Sequence, residues 1–331
     1  MPDHHVLSSA PETCHWGFFD AALPPVLTVR SGDTVTVESV SGGREHLPPP
    51  GDGRFEVLPD HRAIHAALSP RMPGHILTGP VAVDGAAPGD VLMVEILSVE
   101  CRQNWGWTAI RPLAGALPED FPMRRIWHSA IDRQRGAATL PWGGEIALSP
   151  FFGVMGVAPP PVYGAVTSIV PREFGGNIDC KELVAGATLY LPVWTAGALF
   201  SVGDGHGVQG DGEVCLTALE TALSGTFRLT LRKDLHGSLT LPRAETPTHH
   251  ITMGFDEDLD DAAKQALRQM IRLIGETTGL APEEAYMLCS LAADLRVTQL
   301  VDGNKGVHAM LAKPVLAGAA AAAERRGRGD G

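Results

Sequence analysis

The chain has 331 residues, of which 44% are hydrophobic and 19% charged, with 38 glycines and 26 prolines. This composition excludes a disordered chain, and the frequent glycine and proline exclude an all-helical one. Only 26 basic residues stand against 38 acidic ones, a net charge of −12 that disfavours nucleic acid and fits a neutral or cationic small ligand.

The cysteines and the apolar stretches indicate where in the cell the protein is expected. The five cysteines are odd in number and lack paired spacing, which disfavours a disulfide framework and a cysteine-rich metal site. No stretch reaches the ~18 consecutive apolar residues of a membrane span, and the N-terminus carries no export signal. We therefore expect a cytoplasmic protein without a membrane partner.

The first two-thirds of the chain has the pattern of a β protein. A glycine followed by a run of β-forming residues recurs in residues 31–37, 88–94, 185–191 and 224–231. Such runs are typical of strands that leave tight turns. Shared turn chemistry explains the recurrence better than internal duplication does.

The pattern changes near residue 255. Apolar residues in 258–274 follow helical spacing, and acidic residues occupy the first turn, where the helix dipole favours them. A second helix is predicted to begin at Pro282 and to use Leu288, Leu291, Ala292 and Leu295. Both helices are expected to cover a sheet, and residues after Leu316 are expected to form a frayed tail.

These patterns predict a mainly β fold with an α+β portion. We expect sheets of a β-sandwich or jelly-roll type and a smaller C-terminal region with two covering helices. The predicted regions are an N-terminal β region (1–165), a β region with the glycine-rich loop (166–254), a helical region that completes the fold (255–316) and a disordered tail (317–331).

Chemically capable side chains concentrate in residues 201–215, where five of fifteen residues are glycine. In extended backbone, Asp204 and His206 project to one side, which suits a shared ion, and Asp211 and Glu213 do likewise. A surface turn rich in glycine and aspartate is the alternative.

Two other turns resemble this segment. Residues 174–179 form a glycine-hinged turn that carries Asn177 and Asp179, and residues 302–308 repeat the theme after the second helix. The first turn meets residues 201–215 only if the chain doubles back, as all-β domains do. A solvated or core position is the simpler interpretation of Lys305 and His308.

Residues 203–220, GDGHGVQGDGEVCLTALE, resemble the Gly-Asp-x-His-x-x-Gln-Gly-Asp-Gly-Glu block of the acetamidase/formamidase family, including a further glutamate, here Glu220. Residues 15–20, 77–90, 175–179 and 305–308 match as well, so the resemblance covers nearly the whole chain. It implies hydrolysis of formamide, acetamide and related short amides, in some members cyclic amides, with a bound zinc or similar ion. It also implies a homo-oligomer.

Amide hydrolysis needs a nucleophile, a site for the oxyanion and an acid for the leaving amine. The chain has no G-x-S-x-G nucleophile elbow. Cys180, beside Lys181, is a candidate thiol nucleophile, although free cysteines are commonly packing residues. Metal-activated water is the favoured interpretation, because carboxylates and imidazole suit zinc, with calcium as the alternative.

The candidate residues divide into ligands of the ion, a carrier of the proton and groups that hold the amide. The predicted ligands of the ion are Asp179, Asp204, His206 and His15. Glu213 is the predicted base and later proton donor, and His75 is a further ligand or oxyanion donor. The residues predicted to hold the amide, a group that both donates and accepts hydrogen bonds, are Asn177, Gln209, His308 and Lys305.

The sequence thus predicts an enzyme that hydrolyses a short-chain, neutral amide to carboxylate and ammonia with metal-activated water. A lactam hydrolase of the same family is one alternative. A non-catalytic β module that binds a small metabolite is another. A metal-dependent decarboxylase or isomerase on a cupin-like barrel is disfavoured, because its paired His-x-His is absent.

Overall fold

The computed structural model describes residues 2–329 of the chain. Its strands, in chain order, are β1 His4–Leu7, β2 Cys14–Trp16, β3 Phe18–Phe19, β4 Leu27–Val29, β5 Thr34–Glu38, β6 Ile76–Val83, β7 Val91–Cys101, β8 Trp105–Ile110, β9 Arg125–Asp132, β10 Ala137–Thr139, β11 Glu145–Ala147, β12 Phe151–Gly156, β13 Val166–Thr167, β14 Gly175–Asn177, β15 Thr188–Pro192, β16 Phe200–His206, β17 Leu223–Arg232, β18 Arg243–Glu245, β19 His249–Asp256, β20 Ala293–Asp302 and β21 Asn304–Ala312. Its α-helices are α1 Pro59–Ala67, α2 Leu259–Thr278, α3 Pro282–Ala292 and α4 Lys313–Gly329. None of the described helices is both long and apolar enough to cross a membrane.

The largest sheet has nine strands in the order β1-β5-β17-β7-β15-β18-β19-β21-β20. The four recurrent glycine-led runs form β5, β17, β7 and β15, which are neighbours in this sheet. In three of them the glycine precedes the strand with a positive φ, as a tight turn requires. The fourth differs, because Gly225 lies within β17, where a Cβ would come 2.4 Å from the ring of Phe152.

The second large sheet has six strands, with β14-β12-β16-β6-β2 in order and β4 beside β6. Apolar residues of the two large sheets form one core cluster. At its centre the Phe227 ring lies 5.6 Å from Phe152 and 5.8 Å from Phe200, measured between ring centroids. A four-stranded sheet, β11-β10-β9-β8, and the pair β13-β3 complete the β structure. The predicted mainly β fold with packed sheets is confirmed.

Helices cover the end of the nine-stranded sheet, as predicted. The side chain of Asp258 accepts hydrogen bonds from the backbone N–H groups of Asp260 and Asp261, which caps α2 at its start. Apolar residues of α2, α3 and β21 form a second core cluster. Gly254 on β19 permits the close approach of α2, because a Cβ there would lie 2.1 Å from the carbonyl oxygen of Ala262.

The C-terminal helices differ from the prediction in two places. Helix α3 ends at Ala292, so Leu295 lies in β20, and Leu291 is 84% exposed. The buried residues of α3 are Ala285 and Cys289. Residues 317–329, expected to be a frayed tail, belong to α4; its alanine-rich sequence has high helix propensity, and Leu316 anchors it in the second core cluster. Residues 330 and 331 lie outside the described residues.

Candidate active site

One edge of the six-stranded sheet brings together residues that are distant in the sequence. Strand β12 pairs with β14 on one side and with β16 on the other. Asp179 follows β14, while Asp204 and His206 lie on β16. Gly153 in β12 lies against all three, because a Cβ there would come 2.4 Å from Asp179 Oδ1, 2.5 Å from Asp204 Oδ2 and 2.8 Å from His206 Cε1. Only glycine leaves room for these three side chains to converge.

His206 is the centre of the group. Its Nε2 atom lies 3.0 Å from Asp204 Oδ2 and 3.9 Å from Asp179 Oδ1. All three side chains are buried. Both aspartates have positive φ, 52° for Asp179 and 54° for Asp204, a conformation that aspartate tolerates better than most residues do. The structure therefore brings together three of the four predicted metal ligands.

Three further carboxylates border this group. Glu220 Oε1 lies 3.3 Å and Glu213 Oε1 3.9 Å from His206 Nε2. A carboxylate oxygen of Asp302 lies within 4.8 Å of oxygens of Asp179 and Glu213. Sequence reasoning did not assign Glu220 or Asp302 to the site, although the motif block contained Glu220 and the turn of residues 302–308 began with Asp302.

Asp211 does not share the position of Glu213. Glu213 has a φ of 43°, which turns the backbone and breaks the alternation expected of an extended strand. The Asp211 carboxylate instead pairs with Lys181 at 3.0 Å and with Arg296 at 3.3 Å. The two acidic residues therefore face different surroundings.

The burial of several carboxylates together shifts their pKa values. Burial, followed by the charge of Asp179, raises the pKa of both Glu213 and Asp302 well above the ordinary values. Burial and the neighbouring Asp204 raise the pKa of Glu220 to about 7. Burial opposes the charge on His206, but Glu220 and Asp204 raise its pKa well above the ordinary value. At neutral pH the group holds protons that a bound cation would displace.

The donor set fits a divalent cation. Neither carboxylate oxygen of Asp179 has a hydrogen-bond partner among the described residues, and Oδ2 of Asp302 also lacks one. Buried carboxylate oxygens without partners are costly unless a cation or a proton compensates them. Carboxylate oxygens with one imidazole nitrogen form a ligand set that suits zinc, and its many oxygens also suit calcium.

Gln209 fixes the orientation of the His206 ring. Its Oε1 atom lies 3.0 Å from His206 Nδ1, and its Nε2 atom donates to the backbone oxygen of Asp179 at 2.8 Å. An amide oxygen accepts, so Nδ1 carries a proton and Nε2 is the nitrogen that faces the carboxylates. Gln209 therefore contacts the chain's own groups and does not line the pocket described below.

The remaining predicted residues occupy different places. His75 Nε2 lies 3.9 Å from Asp204 Oδ1, and Asn177 is buried with its Oδ1 atom unpartnered. His308 is buried with Nδ1 2.7 Å from Thr298 Oγ1. His15 lies near the Gly79 carbonyl oxygen, at 3.3 Å, and belongs to none of the groups around His206. Lys305 donates to the backbone oxygen of Glu257 at 2.6 Å, and it does not reach the group either.

Cys180 does not have the surroundings of a thiol nucleophile. The residue is fully buried within the main core cluster. Burial raises the pKa of its thiol to about 12, so the thiolate is scarce at neutral pH. The structure thus disfavours the thiol alternative.

A pocket of about 460 Å³ opens onto the carboxylates. Its buried end contains the carboxylates of Asp179, Asp204, Glu213, Glu220 and Asp302, together with Asn177 and His75. Another part of its lining, here called the outer end, comes from residues 40–46 and Arg111; it includes the buried ring of His46 and the carboxylate of Glu45. A small substrate therefore has direct access to the carboxylate group.

Comparisons with known proteins place the chain among the amide hydrolases. The sequence model of the acetamidase/formamidase family matches residues 7–162 and 162–315. The chain belongs to this family. A formamidase from Methylophilus methylotrophus is 28% identical over 304 residues, which cover 73% of this chain and 72% of the relative.

Solved structures agree with this assignment. A predicted acetamidase/formamidase from Thermoanaerobacter tengcongensis superposes with a TM-score of 0.82 and 27% identity, covering 96% of this chain and 98% of its own. An acetamidase from Bacillus halodurans has a TM-score of 0.79 and 32% identity, covering 93% of this chain and 97% of its own. The sandwich and its C-terminal helices are thus shared with these proteins.

Proposed function

We propose that this protein hydrolyses a short-chain amide of the formamide or acetamide type to the carboxylate and ammonia, with metal-activated water. The observation that carries the proposal is the convergence of five carboxylates and His206 at the buried end of one pocket. Membership of an amide hydrolase family gives that site its reaction class.

Asp179, Asp204 and His206 are the residues proposed to hold the ion, with zinc as the first candidate and calcium as the second. When bound, such an ion polarises a carbonyl group and lowers the pKa of a coordinated water. Gln209 supports the ion site by fixing the ring of His206. The unpartnered oxygens of Asp179 support this assignment.

Glu213 is proposed to move the proton. It borders the pocket, and once a bound cation has displaced its proton, its buried carboxylate is a stronger base than an exposed glutamate. Glu213 takes a proton from the attacking water as the new C–O bond forms. It returns that proton to the amide nitrogen as the C–N bond breaks, so ammonia leaves. The carboxylic acid that remains gives its own proton to the ammonia or to solvent and becomes the carboxylate.

Asn177 and His75 are proposed to hold the substrate. The unpartnered Oδ1 of Asn177 accepts a hydrogen bond from the amide N–H. His75 lines the pocket, and its backbone N–H donates to Ser168 Oγ at 2.9 Å, which fixes the residue beside the site. Its ring is placed to stabilise the carbonyl oxygen as negative charge develops.

The experiment is an ammonia-release assay with formamide, acetamide, propionamide and a γ-lactam, run with and without a chelator and beside a metal analysis. We expect release from the linear amides, loss of activity on chelation and recovery with zinc or calcium. Activity that survives exhaustive chelation but is lost in Cys180→Ala contradicts the metal interpretation. Binding of amides without ammonia release favours the non-catalytic β module.

We also propose that the protein is cytoplasmic and forms a homo-oligomer. Five free cysteines are consistent with a reducing cytoplasm. We propose a homo-oligomer on the resemblance to the family, and light scattering on the purified protein measures its mass in solution.

A further inference from the structure

The pocket is larger than a short amide requires. Its volume of about 460 Å³ falls in the range of pockets that enclose drug-sized ligands. Formamide and acetamide occupy only the part beside the carboxylates. The side chains at the outer end therefore face a part of the pocket that a longer acyl chain would fill.

His46, at the outer end, presents a hydrogen-bond donor to the pocket. The backbone N–H of Gly43 donates to His46 Nδ1 at 2.9 Å, so Nδ1 is the acceptor nitrogen of the ring. Burial and the nearby Arg111 lower the pKa of His46 to about 4, so the ring is neutral at neutral pH. We therefore assign the single proton of the neutral ring to Nε2, because the backbone N–H of Gly43 needs Nδ1 as its acceptor.

Arg111 places a second donor beside the first. Its Nη2 atom lies 3.2 Å from His46 Nε2. Two N–H donors at this distance leave no acceptor between them, and an oxygen that bonds both would satisfy the pair. Among residues 2–329 no carboxylate lies within ion-pair distance of the Arg111 guanidinium. Glu45 Oε1 lies 3.8 Å from His46 Nε2, beyond hydrogen-bond distance, although its carboxylate lines the same pocket and is close enough to interact with the charge of Arg111.

The surroundings of this donor pair suit a flat anion at the end of an apolar chain. The His46 ring stacks on Trp107, with 3.9 Å between centroids and 2° between planes, which fixes its position. The buried Nε1 atom of Trp107 also lacks a hydrogen-bond partner. Leu216 and Ile169 line the same pocket and supply apolar surface between its two ends.

We propose that the preferred substrate is an amide whose acyl chain ends in a carboxylate. The amide group binds beside the buried carboxylates and His206, and the terminal carboxylate accepts hydrogen bonds from His46 Nε2 and the Arg111 guanidinium. This inference rests on the proposed function, because it names the substrate class of the same site.

The test compares two amides of equal length, succinamate and butyramide, which differ only in a terminal carboxylate in place of a methyl group. We expect a kcat/KM for succinamate at least tenfold above that for butyramide. Arg111→Gln should lower the succinamate-to-butyramide ratio by roughly 10- to 100-fold, the usual range for a lost charged hydrogen bond. His46→Phe, which keeps the stacking on Trp107 but removes the donor, should lower the ratio in the same direction.

Arg268→Gln is the matched control, because Arg268 is an exposed arginine on α2 and should leave the ratio unchanged. A wild-type ratio near one, or an Arg111→Gln variant that lowers both rates equally, overturns the inference. If no amide releases ammonia, the proposed hydrolase function is rejected, but the proposed carboxylate-binding site is still testable. Calorimetry with succinamate then decides the inference: binding that Arg111→Gln weakens at least tenfold supports it, and equal or absent binding overturns it.

Discussion

The two ends of the pocket differ in charge and in origin along the chain. The buried end consists of five carboxylates around His206, two of which, Asp204 and Glu213, belong to the glycine-rich residues 201–215. The outer end contains the donors His46 and Arg111, which come from two separate segments near residues 44–46 and 111, together with the carboxylate of Glu45. One end is rich in acceptors and the other in donors.

Because of this difference, the reaction is expected to depend on the buried end and the choice of substrate on the outer end. Acceptors without partners at the buried end call for a cation or protons, whereas donors that hydrogen-bond no carboxylate at the outer end favour an anion. A substrate that spans both ends needs an amide at one end and an oxygen-rich group at the other. Changes at the buried end should therefore have the largest effects, and changes in helix α1, beside the outer end, the smallest.

Removal of a buried carboxylate should have the largest effect. Asp179→Asn keeps the shape of the side chain but removes the negative charge of two oxygens that have no hydrogen-bond partner. We expect the variant to lose bound metal and its ammonia release to fall to the uncatalysed background. Metal analysis and an acetamide assay on one preparation measure both quantities. Full metal content with an unchanged rate would remove Asp179 from the proposed ligands.

Glu213→Gln tests the proton carrier at the same end. We expect the variant to keep its bound metal and to lose turnover by ~10²-fold or more, in line with the usual contribution of general acid–base catalysis. Stopped assays with acetamide and a parallel metal analysis separate the two effects. Loss of metal would instead place Glu213 among the ligands.

Gly153→Ala should reduce activity by roughly 10- to 100-fold without removing any polar group. The added Cβ would lie 2.4 Å from Asp179 Oδ1 and 2.5 Å from Asp204 Oδ2, so these side chains must move. Displacements of about 1 Å at a reacting centre commonly cost this much. Gly210→Ala is the control, because a Cβ at Gly210 meets nothing within 4 Å. Equal rates of ammonia release in the two variants would show that activity does not depend on the close approach of Asp179 and Asp204 to Gly153.

The sequence predicted much of the fold because its signals are local. Positive-φ glycines before β5, β7 and β15 mark turns that the structure contains, and the spacing in α2 marks a helix that covers the sheet. The end of α3 was placed too late, because the apolar Leu295 fits a helix as well as the strand that it joins. The prediction of a frayed tail after Leu316 was wrong, because a run of alanines shows no alternation of apolar and polar residues, although alanine favours a helix.

The site was only partly predictable, because local sequence signals do not report contacts between distant segments. Asp204 lies beside His206 as the two-residue spacing predicts, although Asp204 has a positive φ of 54°. The positive φ of Glu213 separates Glu213 from Asp211, and no spacing rule reports it. Asp302 joins the group through the pairing of distant segments. His46 and Arg111 carry no motif at all, since their meaning arises from a 3.2 Å contact between residues 65 positions apart. The roles proposed for the site residues stay predictions.

The smallest expected effect concerns helix α1, where His65 Nε2 lies 3.1 Å from the backbone oxygen of Gly42, a residue of the outer end. Burial, with a further contribution from His65, lowers the pKa of His61 on α1 from 6.5 to about 3. The unfolded chain therefore binds a proton at this residue below pH 6.5, whereas the folded chain does not until about pH 3. Stability from neutral His61 is thus complete above pH 6.5 and is lost as the pH falls.

Between pH 7 and pH 5 this loss should amount to about 2 kcal/mol in the free energy of unfolding. Urea unfolding of the wild type and of His61→Leu at both pH values measures it, with the exposed His4→Gln as control. We expect the pH dependence to shrink by that amount in His61→Leu only. An unchanged dependence would mean that α1 opens to solvent, and the outer end of the pocket would then be less rigid than the buried end.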